Sequence, residues 1–132
     1  MAQTQNDAFA GTWKLDLAKS KFSPGPAPKS ATVTIGQDGK VDFQGEGANG
    51  QAEKWSVMMS EGKPAPISGM EGSTVTAKTI DDRTVEHTWK YPDSTSTGKA
   101  VLAKNRKSFV YTMTGQSADG KPVNNREVWE KE

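Results

Sequence analysis

Clusters of Gly, Pro, Asn and Asp interrupt this chain at short, regular intervals. They fall at Asp38-Gly39-Lys40, Asn49-Gly50, Glu61-Gly62-Lys63-Pro64, Asp81-Asp82-Arg83, Pro92-Asp93-Ser94, Asn105-Arg106-Lys107 and Asp119-Gly120-Lys121-Pro122. Each type favours a turn for its own reason. Glycine tolerates positive φ, proline pre-sets a turn dihedral, and Asn and Asp bond to nearby backbone. Most clusters lie roughly 11–14 residues apart, which leaves about 7–10 residues between them, the length of a strand. A chain cut this often has no room for long helices.

Between the turns, apolar and polar residues alternate. Ala31-Thr32-Val33-Thr34-Ile35, Val41-Asp42-Phe43-Gln44, Thr84-Val85-Glu86-His87-Thr88-Trp89-Lys90-Tyr91 and Phe109-Val110-Tyr111-Thr112-Met113-Thr114 all follow a period of two. That period marks strands with one face buried and one wet. The pattern predicts strands at 11–16, 31–35, 41–45, 52–59, 66–69, 74–80, 84–91, 95–103, 108–116 and 122–130. Short connections make consecutive strands antiparallel, and a long meander protects its edges by closing. The expected fold is therefore all-β, a single antiparallel up-and-down β-barrel of about 8–10 strands with little or no helix. Residues 16–20 have room for one helical turn, and the alternate prolines of Ser23–Pro28 favour an extended loop at the barrel mouth.

Composition agrees. The 132 residues suit one domain, and a hydrophobic share of only 33% fits strands that are wet on one face. We expect a flexible segment at 1–10 and one barrel domain at 11–132. With 17 basic against 16 acidic residues the net charge is +1, so nothing calls for nucleic acid or an anionic membrane. The absence of cysteine removes disulfides and thiol chemistry. No apolar run is long enough for a helical membrane span. Ala2-Gln3-Thr4-Gln5 fits the start of a mature exported chain, which favours a secreted or periplasmic location if a leader has been removed.

Gly11-Thr12-Trp13-Lys14-Leu15 opens the first strand and Val128-Trp129-Glu130-Lys131 closes the last. In these features the chain resembles the calycin superfamily, the lipocalins and fatty-acid-binding proteins. It is most similar to the bacterial lipocalin-like proteins, which share the Gly-Thr-Trp-Lys-Leu start, the Lys19–Pro26 run and the Gly120–Asn125 stretch. The resemblance implies a barrel plugged at one end by Trp13, with a small hydrophobic or amphipathic molecule as partner. Two departures stand out. The stretch 17–30 is too short and proline-rich for the helical lid of fatty-acid-binding proteins. Those proteins also end on Arg-x-Tyr with both side chains inward, whereas Arg126 and Trp129 are three apart. If Trp129 faces inward, its inner neighbour is Glu127, and the family's carboxylate-clamping arginine does not transfer.

Gly45-Glu46-Gly47-Ala48-Asn49-Gly50 matches a dinucleotide-binding pattern in letters only, because Gln51–Val57 reads as a strand where that motif needs a helix. Asp81-Asp82 reads as a solvated turn. His87, the only histidine, shares a face with Val85, Trp89 and Tyr91. A single histidine without cysteine makes a zinc site untenable. No cofactor is expected. The candidate ligand-binding residues are Trp55, His87, Trp89, Tyr111, Met113 and Trp129; core packing is the alternative role for the aromatics. Ala77, Ala100 and Gly45 are inward small residues that would leave space beside them. Three functions remain open: a small-molecule carrier, a cavity enzyme of isomerase or cyclase type using His87, and a barrel with a filled interior acting through its surface.

Overall fold

The computed structural model describes residues 9–23, 27–116 and 121–132. Ten strands form: β1 (Gly11–Leu15), β2 (Ser30–Ile35), β3 (Lys40–Glu46), β4 (Ala52–Met58), β5 (Ala65–Pro66), β6 (Thr74–Asp81), β7 (Thr84–Lys90), β8 (Thr95–Leu102), β9 (Ser108–Gln116) and β10 (Pro122–Lys131). Their limits match the alternation to within about one residue, except at β5. Expected at 66–69, β5 spans only 65–66. Pro64 and Pro66 lack backbone donors, and Gly69 turns away with φ +99°.

All ten belong to one antiparallel sheet in the order β4-β3-β2-β1-β10-β9-β8-β7-β6-β5. Every neighbour is consecutive in sequence except the first and last strands, which pair Trp13 with Lys131 and Leu15 with Trp129. The two remaining edges meet at Ser56 and Ser68. The Ser56 N–H donates to the Ser68 carbonyl at 3.0 Å, and the Ser68 N–H returns a bond of 2.8 Å. Gly69 allows this approach. A Cβ there would lie 2.7 Å from the Lys54 carbonyl oxygen and 3.2 Å from the Trp55 Cα. Next to this seam the Gly62 N–H donates to the Ala77 carbonyl at 2.8 Å. The result is a nearly closed barrel.

β1 covers only the end of β10. Beyond it, Lys21 and Arg126 exchange two backbone bonds of 2.8 Å, and the Asn124 N–H donates to the Ser23 carbonyl. Between these two pairings sits the expected helical turn, a 3-10 turn at Leu17–Lys19. Asp16 caps it by accepting from the Lys19 N–H, and the Ser20 hydroxyl donates to the Asp16 carbonyl at 2.7 Å. Among the described residues there is no α-helix, hence no helical lid. The extended loop expected at Ser23–Pro28 lies partly outside the described residues. So do residues 1–8 of the segment expected to be flexible. Phe9, in that same segment, is buried.

Trp13 has no accessible surface. Its indole N–H donates to the Phe9 carbonyl at 2.8 Å, and its ring meets Phe109 edge-on at 4.8 Å. Phe109 also carries Phe9 edge-on and Trp129 in a stack. Lys131 lies 5.7 Å over the Trp13 ring. This cluster joins β1, β9 and β10, so Trp13 fastens the pairing of the two chain ends. Trp13→Ala should lower stability by about 3–5 kcal/mol. Urea unfolding checks this; a loss under about 1 kcal/mol would refute the placement.

Candidate functional site

The inward face of the sheet does not fill its barrel. A cavity of about 240 Å³ remains. The carrier and enzyme readings need such a space and a filled-interior barrel does not have one. All six candidate residues line it: Trp55 from β4, His87 and Trp89 from β7, Tyr111 and Met113 from β9, and Trp129 from β10. Phe43 stacks on Trp55 at 5.2 Å, and Trp55 meets Trp89 edge-on at 5.5 Å. Several other lining residues lay outside the candidate set. Phe9 lies before the first strand, where no alternation applies. Met70 follows the short β5, where no strand is expected. Tyr91 and Glu127 take the inner face that alternation gives them beside Trp89 and Trp129, and Phe43, Met59 and Phe109 follow from the same-face rule along β3, the strand expected at 52–59 and β9.

The small inward residues behave differently from one another. Ala100 lines the cavity, but Ala77 and Gly45 do not. Ala77 is packed under the seam, where its backbone bonds to Gly62. A Cβ on Gly45 would meet the Ser30 carbonyl and Ala31 of β2, so its missing side chain is filled by the neighbouring strand. The glycine that matters most is Gly98, opposite His87 and Met113 in the ladder. A Cβ there would land on the Tyr111 hydroxyl and ring carbon. Gly98 therefore lets the Tyr111 ring lie flat along the wall.

Tyr111 then connects two neighbours. The Trp89 indole N–H donates to its hydroxyl oxygen at 2.8 Å, and that oxygen lies 3.0 Å from His87 Nδ1. Indole is a donor only, so the Tyr111 oxygen accepts from Trp89 and keeps its own proton and a second lone pair for the contact with His87, whose direction follows the imidazole tautomer. No protein group among the described residues bonds to His87 Nε2. Burial pushes the His87 pKa down to about 4, which keeps the ring neutral, and it pushes the Tyr111 phenol upward. The accessible surface that His87 retains faces the cavity.

Among the described residues Glu127 is the one carboxylic acid on the cavity wall, and no Lys or Arg lines it. It pairs with Tyr111 across the ladder. Its Oε1 accepts from the Trp129 indole N–H at 3.1 Å. Burial raises the Glu127 pKa to about 7, against the smaller, opposite effect of that hydrogen bond. Arg126 is exposed on the outer face, where it reaches the Lys19 carbonyl. Among the described residues no group of three or more acidic or histidine side chains could hold a metal ion. Residues 45–50 are the end of β3 and the hairpin loop that leads to β4, and Asp81 accepts from the Arg83 N–H in a turn.

The wall makes two outcomes measurable. Tyr111→Phe leaves the Trp89 donor without its acceptor, and should cost about 1–3 kcal/mol in urea unfolding. The second concerns pH. The folded state favours neutral His87, a contribution complete above about pH 6.5 and lost as pH falls through about 4. It favours protonated Glu127, a contribution complete below about pH 4.5 and lost as pH rises through about 7. Glu127→Gln should therefore gain stability relative to wild type between pH 5 and pH 8. An unchanged difference across that range would contradict a buried, protonatable Glu127.

Known structures with this architecture were found at low sequence identity. The chain is similar to the fluorescent protein UnaG, at 14% identity and TM-score 0.57 over 96% of this chain and 99% of that one. A point mutant of UnaG matches at 15% identity and TM-score 0.58, over 96% of this chain and 97% of that one. Zebrafish ileal bile acid-binding protein complexed with cholic acid matches at 14% identity and TM-score 0.55, over 96% of this chain and all of that one. No protein-family model and no curated protein matches the sequence. At this identity the likeness is one of fold alone, an antiparallel, nearly closed calycin-like barrel.

Proposed function

We propose that this barrel binds a compact apolar or amphipathic small molecule in its cavity, and that it is a bacterial lipocalin-like carrier. The observation that supports the reading best is the cavity itself. Stacked and edge-on aromatic rings surround about 240 Å³ with few polar groups. Ligand sites are typically concave, mostly apolar and furnished with a few orienting polar groups. The similarity to a bile acid-binding protein is consistent with this use of the fold. Trp55, Trp89, Trp129 and Met113 would contact the apolar body of the ligand, while His87 and Tyr111 orient it. No nucleic acid takes part.

The size of the space limits the ligand. An apolar cavity of about 150 Å³ holds benzene, so this one suits about ten non-hydrogen atoms. The six lining positions include three tryptophans, so binding should quench intrinsic fluorescence. Among compact aromatic alcohols and hydrocarbons, 3-phenylpropan-1-ol should bind with a Kd of about micromolar order. Ala100→Leu, which fills part of the space, should weaken it by about tenfold or more with the circular dichroism spectrum unchanged. Absence of quenching by every compact aromatic compound would refute the carrier reading.

A further inference from the structure

The polar groups of the cavity wall fix the charge of the ligand it can accept. A ligand carboxylate would find no cation: among the described residues no Lys or Arg lines the space, and Arg126 is exposed on the outer face. It would meet Glu127 instead. The buried His87 ring, bonded at Nδ1 to the Tyr111 hydroxyl, stays neutral and cannot replace the missing cation. A ligand cation finds the opposite. Glu127 Oε1 is held by the Trp129 indole, and no protein group among the described residues takes Oε2. The rings of Trp129, Phe109 and Tyr111 line the same cavity, Trp129 stacked on Phe109 and Tyr111 opposite Glu127 in the ladder, and aromatic faces attract cations.

We infer that the cavity selects a compact aromatic or alicyclic amine, its ammonium group set against the Glu127 carboxylate and its apolar body among the tryptophan rings. The inference rests on the carrier reading and adds to it the chemical class of the head group. Charge-assisted hydrogen bonds in a water-poor site are strong, and the cation–π contribution grows on desolvation. Both act only on the charged amine, so they separate it from a neutral ligand of the same shape.

Binding would also be linked to protons. The titratable group facing Glu127 from β9 is Tyr111, and across the cavity are His87 and Tyr91. Asp16, Lys19 and Lys21 from the adjoining segment, with Arg126 and Glu130 of β10, do not line the cavity. A bound ammonium favours ionised Glu127, so amine affinity should rise as pH rises through about 7. A ligand accepting a hydrogen bond from protonated Glu127 would show the reverse slope.

The test uses three probes of one shape on the whole protein: 3-phenylpropylamine, 3-phenylpropan-1-ol and 3-phenylpropanoate. Tryptophan fluorescence at pH 8 gives each Kd. The amine should bind about tenfold tighter than the alcohol, and the carboxylate weakest. In Glu127→Gln, which keeps the shape and the Trp129 hydrogen bond, amine and alcohol should differ by less than about twofold and the amine should lose its pH dependence. Alcohol binding without an amine preference would overturn the head-group assignment and leave the carrier reading standing. So would a preference that survives in Glu127→Gln, or a carboxylate that binds as well as the amine. Failure of all three probes to bind would overturn both.

Discussion

Two backbone hydrogen bonds between Ser56 and Ser68 turn a ten-stranded ribbon into a container. Without them β4 and β5 would be open edges, free to pair with other chains. The seam exists because Gly69 lets two backbones approach where any side chain would collide with Lys54 and Trp55. Closure then sets the interior width. A barrel of this strand number has room for more than its inward side chains. Where an inward side chain is as small as that of Ala100, the space persists even with three tryptophans on the wall.

Burial in that space acts on two groups in opposite ways. Removal of water disfavours charge, so the His87 pKa falls and the Glu127 pKa rises. Well below pH 7 the wall is thus nearly free of fixed charge, and its polarity lies in oriented dipoles. Trp89 donates to the Tyr111 hydroxyl, which shares a further hydrogen bond with His87 Nδ1. This arrangement depends on Gly98, because a methyl group there would displace the Tyr111 hydroxyl. A backbone position without a side chain thus preserves the polar contact of its ladder neighbour His87.

Period-two alternation made most of this legible. It placed His87, Trp89, Tyr111 and Met113 on one face, and it identified Glu127 rather than Arg126 as the inner neighbour of Trp129. It could not reach residues outside regular strands. Phe9 and Met70 enter the cavity wall from segments whose direction is set by tertiary packing. Nor does alternation say what fills the space beside a small inward residue. The β2 backbone approaches Gly45, Ala77 is buried away from the cavity, and Ala100 lines it. Neighbouring strands decide among these, and one strand's pattern carries no record of them.

The charge inside the barrel follows from the register of β10. Arg126 and Glu127 are adjacent, so a slip of one residue would exchange an acid for a base on the cavity wall. Two constraints oppose the slip from opposite faces. On the inside, Trp129 stacks on Phe109 and donates to Glu127. On the outside, Val128 is buried beside the 3-10 turn, and its N–H donates to the Ser20 hydroxyl at 2.9 Å. That hydroxyl is itself fixed on the Asp16 carbonyl. A slipped strand would expose Trp129, bury a charged residue in place of Val128 and break both sets of bonds. Each of these costs far more than the difference between two adjacent polar residues. The short turn after β1, which touches no part of the cavity, therefore helps determine that its wall carries a carboxylate.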